Sequence, residues 1–159
     1  MPDWKDLAAT WRDDPLKFVL EALFRITEDQ WKPWIPGTPR PTRSPPGCEL
    51  WQGNLLRDVR AAHVDGLRHF SVRSGHGTGK TTLEAWLILW FLIHKHPCKI
   101  PCTANSQDQL RDVLWAEIAK WHRELPPFLR NEIEIGVDRV TWKSRPDECF
   151  AVARTARPE

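Results

Sequence analysis

The segment that most restricts the fold is Ser74-Gly75-His76-Gly77-Thr78-Gly79-Lys80-Thr81-Thr82. Gly75, Gly77 and Gly79 can adopt positive φ and carry no side chain to obstruct the backbone. Successive N–H groups in such a turn can face inward and cradle an anion. The flanks suit that role. Arg68–Arg73 (Arg-His-Phe-Ser-Val-Arg) alternates and predicts a strand, while Lys80–His94 is apolar almost all round and predicts a buried helix. A glycine turn between strand and helix is the setting of a phosphate-binding loop, with the positive end of the helix dipole aimed at the anion. Lys80 is expected to place its charge on terminal phosphates, and Thr81 to offer its hydroxyl to Mg²⁺. Ser74, Gly75, His76, Gly77, Thr78, Gly79, Lys80, Thr81 and Thr82 form the expected nucleotide-binding set. The pattern departs from G-x-x-x-x-G-K-T at one position: Ser74 stands where the first glycine would fall. Two neighbours stay open. His76 either touches phosphate or is a solvent-facing spacer, and Arg73 either pairs with phosphate or caps the strand end.

Elsewhere the chain divides at its prolines. Pro15 follows Asp13 and Asp14 and marks a helix start, with Leu16, Val19, Leu20, Leu23 and Phe24 at helical spacing. Residues 33–47 hold six prolines and two glycines, which excludes a helix or a central strand. Residues 1–47 are therefore expected to be a helical segment with a Pro-rich linker, and 48–159 the domain that carries the glycine loop. Leu50–Leu67 predicts a helix on Leu55, Leu56, Val59 and Val64, stopped by Gly66. Cys98–Ala104 predicts a strand, with Pro101 requiring an edge position or local irregularity. Ser106 and Gln109 form a capping box for a helix to about Glu124, apolar at Leu110, Val113, Leu114, Ile118 and Trp121. Pro126 and Pro127 end it. Ile133–Ile135 and Arg139–Trp142 predict a hairpin, and Cys149–Arg154 a last strand. The strand–helix alternation predicts an α/β fold with a mostly parallel sheet and helices on its faces.

Composition closes off several classes. Hydrophobic residues are 41% and charged residues 28% of the 159, an ordinary globular balance. The net charge of +2 advertises no strong basic field. The longest apolar run, within Ala85–Ile93, is shorter than a membrane span, and the N-terminus lacks a secretory pattern. Cys48, Cys98, Cys102 and Cys149 contain no C-x-x-C pair, as expected of a reduced cytoplasmic chain. Composition offers no reason for the ten tryptophans.

Arg73–Thr81, read together with other segments, resembles the ATPase of phage terminase large subunits, the motors that package double-stranded DNA into proheads. Those segments are Trp51-Gln52 upstream, Cys102–Ser106 followed by Gln109-Leu110, Leu114–Ile118, and Asp14–Val19. The resemblance spans most of residues 14–156. It implies a P-loop three-layer fold with 48–159 as a partial P-loop ATPase domain, ATP and Mg²⁺ as cofactors, and Gln52 as reader of the adenine edge. On its own, Gln52 is either such a reader or a polar residue on an exposed helix; Trp51 either stacks or belongs to the core. The resemblance also implies double-stranded DNA, a portal and a small terminase subunit as partners, oligomers only in the full-length protein, and the bacterial host cytoplasm as location.

ATP turnover needs, in addition, an apolar strand ending in an acid that holds Mg²⁺ (Walker B) and a Glu that activates water. Neither Ile133–Asp138 nor Asp147-Glu148 has that form. The segment Ala153–Ala156 resembles what precedes the acidic strand in the family, so the catalytic acid is expected beyond Glu159. The chain alone is expected to bind nucleotide weakly without turning it over, and its sheet to present an open edge that lowers solubility. The alternatives are a catalytically inactive prophage remnant or a helicase-like P-loop fragment. Two weaker constellations are His94, His96, Cys98 and Cys102 as a zinc set, against a simple helix end, and Arg57, Arg60, Arg68 and His69 as a basic patch for DNA, against a solvated face. The basic Arg154 and Arg157 are equally open.

Overall fold

The computed structural model describes residues 4–66 and 69–155, apart from the side chains of residues 4, 5, 63–65 and 107. It contains two compact units, 1–75 and 76–159, so the division falls within the glycine loop. Among the described residues, no helix is long and apolar enough to cross a membrane.

The first unit is helical. Helix α1 spans Trp4–Trp11 and α2 spans Pro15–Phe18, continuing as a π-helical turn over Val19–Leu23. Pro15 occupies the first turn, as its fixed φ favours. Asp14 caps α2 by accepting the Lys17 N–H at 3.0 Å. Leu16, Phe18, Val19, Leu20 and Ala22 are fully buried, and Phe24 is half-buried. Helix α3, Leu50–Asp65, ends at Gly66 in the left-handed conformation (φ 74°), whose N–H reaches the Ala62 carbonyl. Leu56 is its buried anchor; Leu55 and Val59 are half-buried. The proline-rich stretch carries no helix or strand and is mostly exposed.

Trp31 ties that stretch to α3. Its indole N–H donates to the Cys48 carbonyl at 2.8 Å, and its ring lies against Gly47 and Gly53. Arg57 and Arg60 do not form a free basic patch. Arg57 pairs with Glu28 at 3.1 Å and lies over Trp31, while Arg60 pairs with Asp14 at 2.9 Å. His69 is exposed, and Arg68 lies outside the described residues.

The strand expected over Arg68–Arg73 is not formed over residues 69–73, the part of it among the described residues. Residues 69–75 have no regular structure, and Phe70 and Val72 are exposed. A strand exists only through a ladder partner, and the sheet takes all four of its strands from elsewhere.

The second unit packs helices on a four-stranded sheet. Its elements are α4 (Lys80–His94), β1 (Cys98–Ala104), α5 (Gln107–Gln109), a π-helical turn (Leu110–Trp115), α6 (Ala116–Glu124), α7 (Pro127–Arg130), β2 (Ile133–Ile135), β3 (Arg139–Trp142) and β4 (Cys149–Thr155). The strand order is β1-β4-β3-β2. Only β1–β4 is parallel; β4–β3 and β3–β2 are antiparallel. The mostly parallel sheet expected from strand–helix alternation is thus corrected to a mixed one. The connections explain it. Gly136-Val137-Asp138 joins β2 to β3, and residues 143–148 join β3 to β4. Neither is long enough for the crossover of a dozen or more residues that parallel neighbours need. Pro101 is accommodated because, among the described residues, β1 has only β4 as a neighbour.

Helix α4 buries Leu83, Ala85, Trp86, Ile88, Leu89, Trp90, Leu92 and Ile93, as its all-round apolarity requires. Trp86 meets Trp121 of α6 edge-to-face with centroids 5.2 Å apart.

Candidate functional site

The glycine loop reaches α4 as the sequence suggests. Gly77 and Gly79 take φ of 70° and 89°, values that a side chain would disfavour. Gly79 is the residue before the helix, and Lys80 is the first residue within it. The first-turn N–H groups of a helix have no intrahelical acceptor, the feature that anion sites at helix starts use. His76, Gly77 and Thr78 are exposed; Gly79, Lys80, Thr81 and Thr82 are half-buried. The second unit therefore brings together Gly77, Thr78, Gly79, Lys80 and Thr81 at an accessible helix start. Arg73, Ser74 and Gly75 are exposed residues at the end of the first unit.

Thr82 has a different engagement. Its hydroxyl donates to Glu117 Oε2 at 3.2 Å, and the same oxygen accepts the Trp121 indole N–H at 2.9 Å. Lys120 Nζ lies 3.7 Å from the other carboxylate oxygen. Glu117 thus fixes the first turn of α4 to α6. Sequence reasoning missed it because 35 residues separate the partners.

Glu84 was also missed, although Lys80-x-x-x-Glu84 is the spacing at which helical side chains meet. Burial raises the Glu84 carboxyl above the usual range, and the Lys80 charge pulls it back. Glu84 opens onto a cavity of ≈ 290 Å³, lined also by Leu87, Ile88, Ile100, Cys102, Thr103 and Leu114. The Cys102 thiol is pushed up to about 11, first by burial and then by the Glu84 charge.

Gln52 sits in the first unit and is 4% exposed. Its side-chain oxygen accepts the Glu49 N–H at 2.9 Å, while the Glu49 side chain accepts in return from the backbone of Gln52. This capping box serves the start of α3. Trp51 is half-buried. The expected box at Ser106 is present in its serine half, with the Gln109 N–H donating to Ser106 Oγ at 3.2 Å.

The zinc set does not assemble. His94 Nδ1 lies 2.9 Å from the Trp90 carbonyl and His96 Nε2 2.6 Å from that of Leu92, so both rings cap the end of α4. Among the described residues, no three His, Cys, Asp or Glu side chains come together to hold a metal ion. No protein-family model, curated protein or solved structure matches the chain.

Proposed function

We infer that residues 77–81 hold the phosphates of a nucleotide, and that the chain is the ATP-binding N-terminal part of a DNA-packaging motor ATPase of the terminase large-subunit kind. The observation that carries the reading is the helix start itself: Lys80 opens a long buried helix directly after two positive-φ glycines on an exposed loop. Backbone N–H groups cradle the phosphates, Lys80 adds a point charge, and the Thr81 hydroxyl is the group that would hold Mg²⁺. A P-loop fold is supported by β1 following α4 and by its parallel pairing with β4. In this reading double-stranded DNA, a portal and a small subunit are the motor's partners, and the host cytoplasm is its compartment.

The 159 residues supply groups that hold phosphate but no apolar strand ending in the required acid. Binding without turnover is the activity proposed for them. Calorimetric titration with Mg-ATP and Mg-ADP tests it. Binding that weakens about tenfold or more in Lys80→Ala supports the loop; binding indifferent to Lys80 overturns it. Phosphate release that depends on Lys80 would overturn the absence of turnover alone.

A further inference from the structure

The sheet of the second unit has one face under α4; on the other, Lys99, Pro101, Thr103 and Arg154 are exposed and Val152 is buried. Strand alternation sends Cys98, Cys102, Cys149, Ala151 and Val140 to the first, where Cys102, Cys149, Ala151 and Val140 are buried. On the other face the register aligns Lys99 of β1 with Phe150 of β4 and Thr141 of β3; Arg139 lies opposite Val152, and Arg154 is two residues further along β4. Lys99 and Arg154 are exposed, while Arg139 and Phe150 are half-buried. The Arg139 guanidinium lies over the Phe150 ring, 4.1 Å from its centroid, and Lys99 Nζ lies 5.8 Å from the same centroid. Among the described residues, Lys99, Arg139 and Arg154 take part in no ion pair. No acid lies on β1, β3 or β4; the one carboxylate on this face, Glu134, is on the outermost strand β2.

We propose that this second face docks single-stranded nucleic acid. Three cations without ion pairs, one each on β1, β3 and β4 of a face whose one carboxylate is Glu134, complement a phosphodiester chain. Phe150, level with Lys99 and four residues from Arg154 along β4, carries the Arg139 guanidinium over its ring, the combination on which unpaired bases stack. A duplex hides its base faces and can use only the charges; an acidic peptide likewise leaves the ring without a role. The surface is independent of the glycine loop and stands whether or not that loop holds nucleotide.

The test is fluorescence anisotropy with a labelled oligothymidine of about 12 nucleotides and the whole chain, at about 50 mM salt. Binding is expected, with a slope of log K against log salt near −2, the value for about three neutralised phosphates. The double change Lys99→Gln with Arg154→Gln should weaken binding about tenfold and flatten that slope. Both residues are exposed, so folding is spared, and circular dichroism checks it. Arg139→Gln should cost about fivefold or more through lost stacking. Lys80→Ala should leave binding unchanged. The proposal falls if the oligothymidine does not bind, if a duplex of equal length or polyglutamate binds as well or better, if the Gln variants bind like the parent, or if Lys80→Ala removes binding.

Discussion

Trp31 fills a slot that exists because residues 47 and 53 lack side chains. A Cβ on Gly53 would lie 2.1 Å from Trp31 Cη2, and one on Gly47 2.7 Å from Cδ1. Gly53 lies inside α3, where alanine would otherwise be favoured by about 1 kcal/mol. The clash reverses that preference: Gly53→Ala should destabilise the fold by roughly 2 kcal/mol, measured as a lower urea midpoint. Gln52→Ala removes the amide that accepts the Glu49 N–H and should cost about 1 kcal/mol by the same assay. If nucleotide binding falls while stability holds, the amide also reads the base. A further residue-scale expectation concerns Thr82. Its hydroxyl shares Glu117 Oε2 with the Trp121 indole. Thr82→Val should shift Trp121 emission, and an unchanged spectrum would mean that the bond does not persist in solution. Little of this was legible beforehand. The loop glycines announce themselves because positive φ is a local demand. The clefts that receive Trp31 and Trp121 are made by residues distant in sequence. Among the described residues five tryptophans (Trp11, Trp31, Trp86, Trp90, Trp115) are buried, which gives half of the ten a place in the core.

Elements were legible where their period was unbroken. The hairpin, β1, β4, α3 and α4 fall at or near the expected residues because alternation and helical spacing are local signals. The helix after Ser106 was misjudged on one face. A 3.6-residue period puts Val113 inside, but the π-helical turn adds a residue to the cycle. Val113 is consequently 49% exposed, and Trp115 is buried in its stead. Sheet direction was misjudged for a different reason: it depends on connection length more than on strand composition. Among the described residues one side of β1 has no ladder partner, an element-scale liability, since an edge strand can pair with another chain. Lys99 and Pro101, both exposed on β1, are residues that discourage such pairing. Pro101→Thr should therefore increase self-association. Light scattering after size-exclusion chromatography at rising concentration reads this, and a variant as monodisperse as the parent would show that the edge is already protected.

At the scale of the whole molecule, both units bury thiols. Cys48 in the first unit is pushed up to about 12, chiefly by burial, and Cys98 and Cys102 in the second to about 11. In the unfolded chain these thiols ionise near their ordinary value of 9.0. Between that pH and about 11, the unfolded state releases protons that the folded state keeps. Linkage then favours unfolding as pH rises. Stability from this source is complete below pH 9 and declines above it, until the folded thiols themselves ionise. Urea midpoints at about pH 7.5, 9 and 10.5 should fall along the series. Lysines also titrate at the upper end, so the decisive comparison is the slope. Cys48→Ala should start from a lower midpoint, because a buried side chain is shortened, yet lose less with pH than the parent. Equal slopes would mean that the Cys48 thiol ionises as readily in the fold as in water. Alkylation gives an independent reading: near pH 8 iodoacetamide should modify Cys48, Cys98 and Cys102 slowly in the folded chain and rapidly in urea, because only the thiolate attacks.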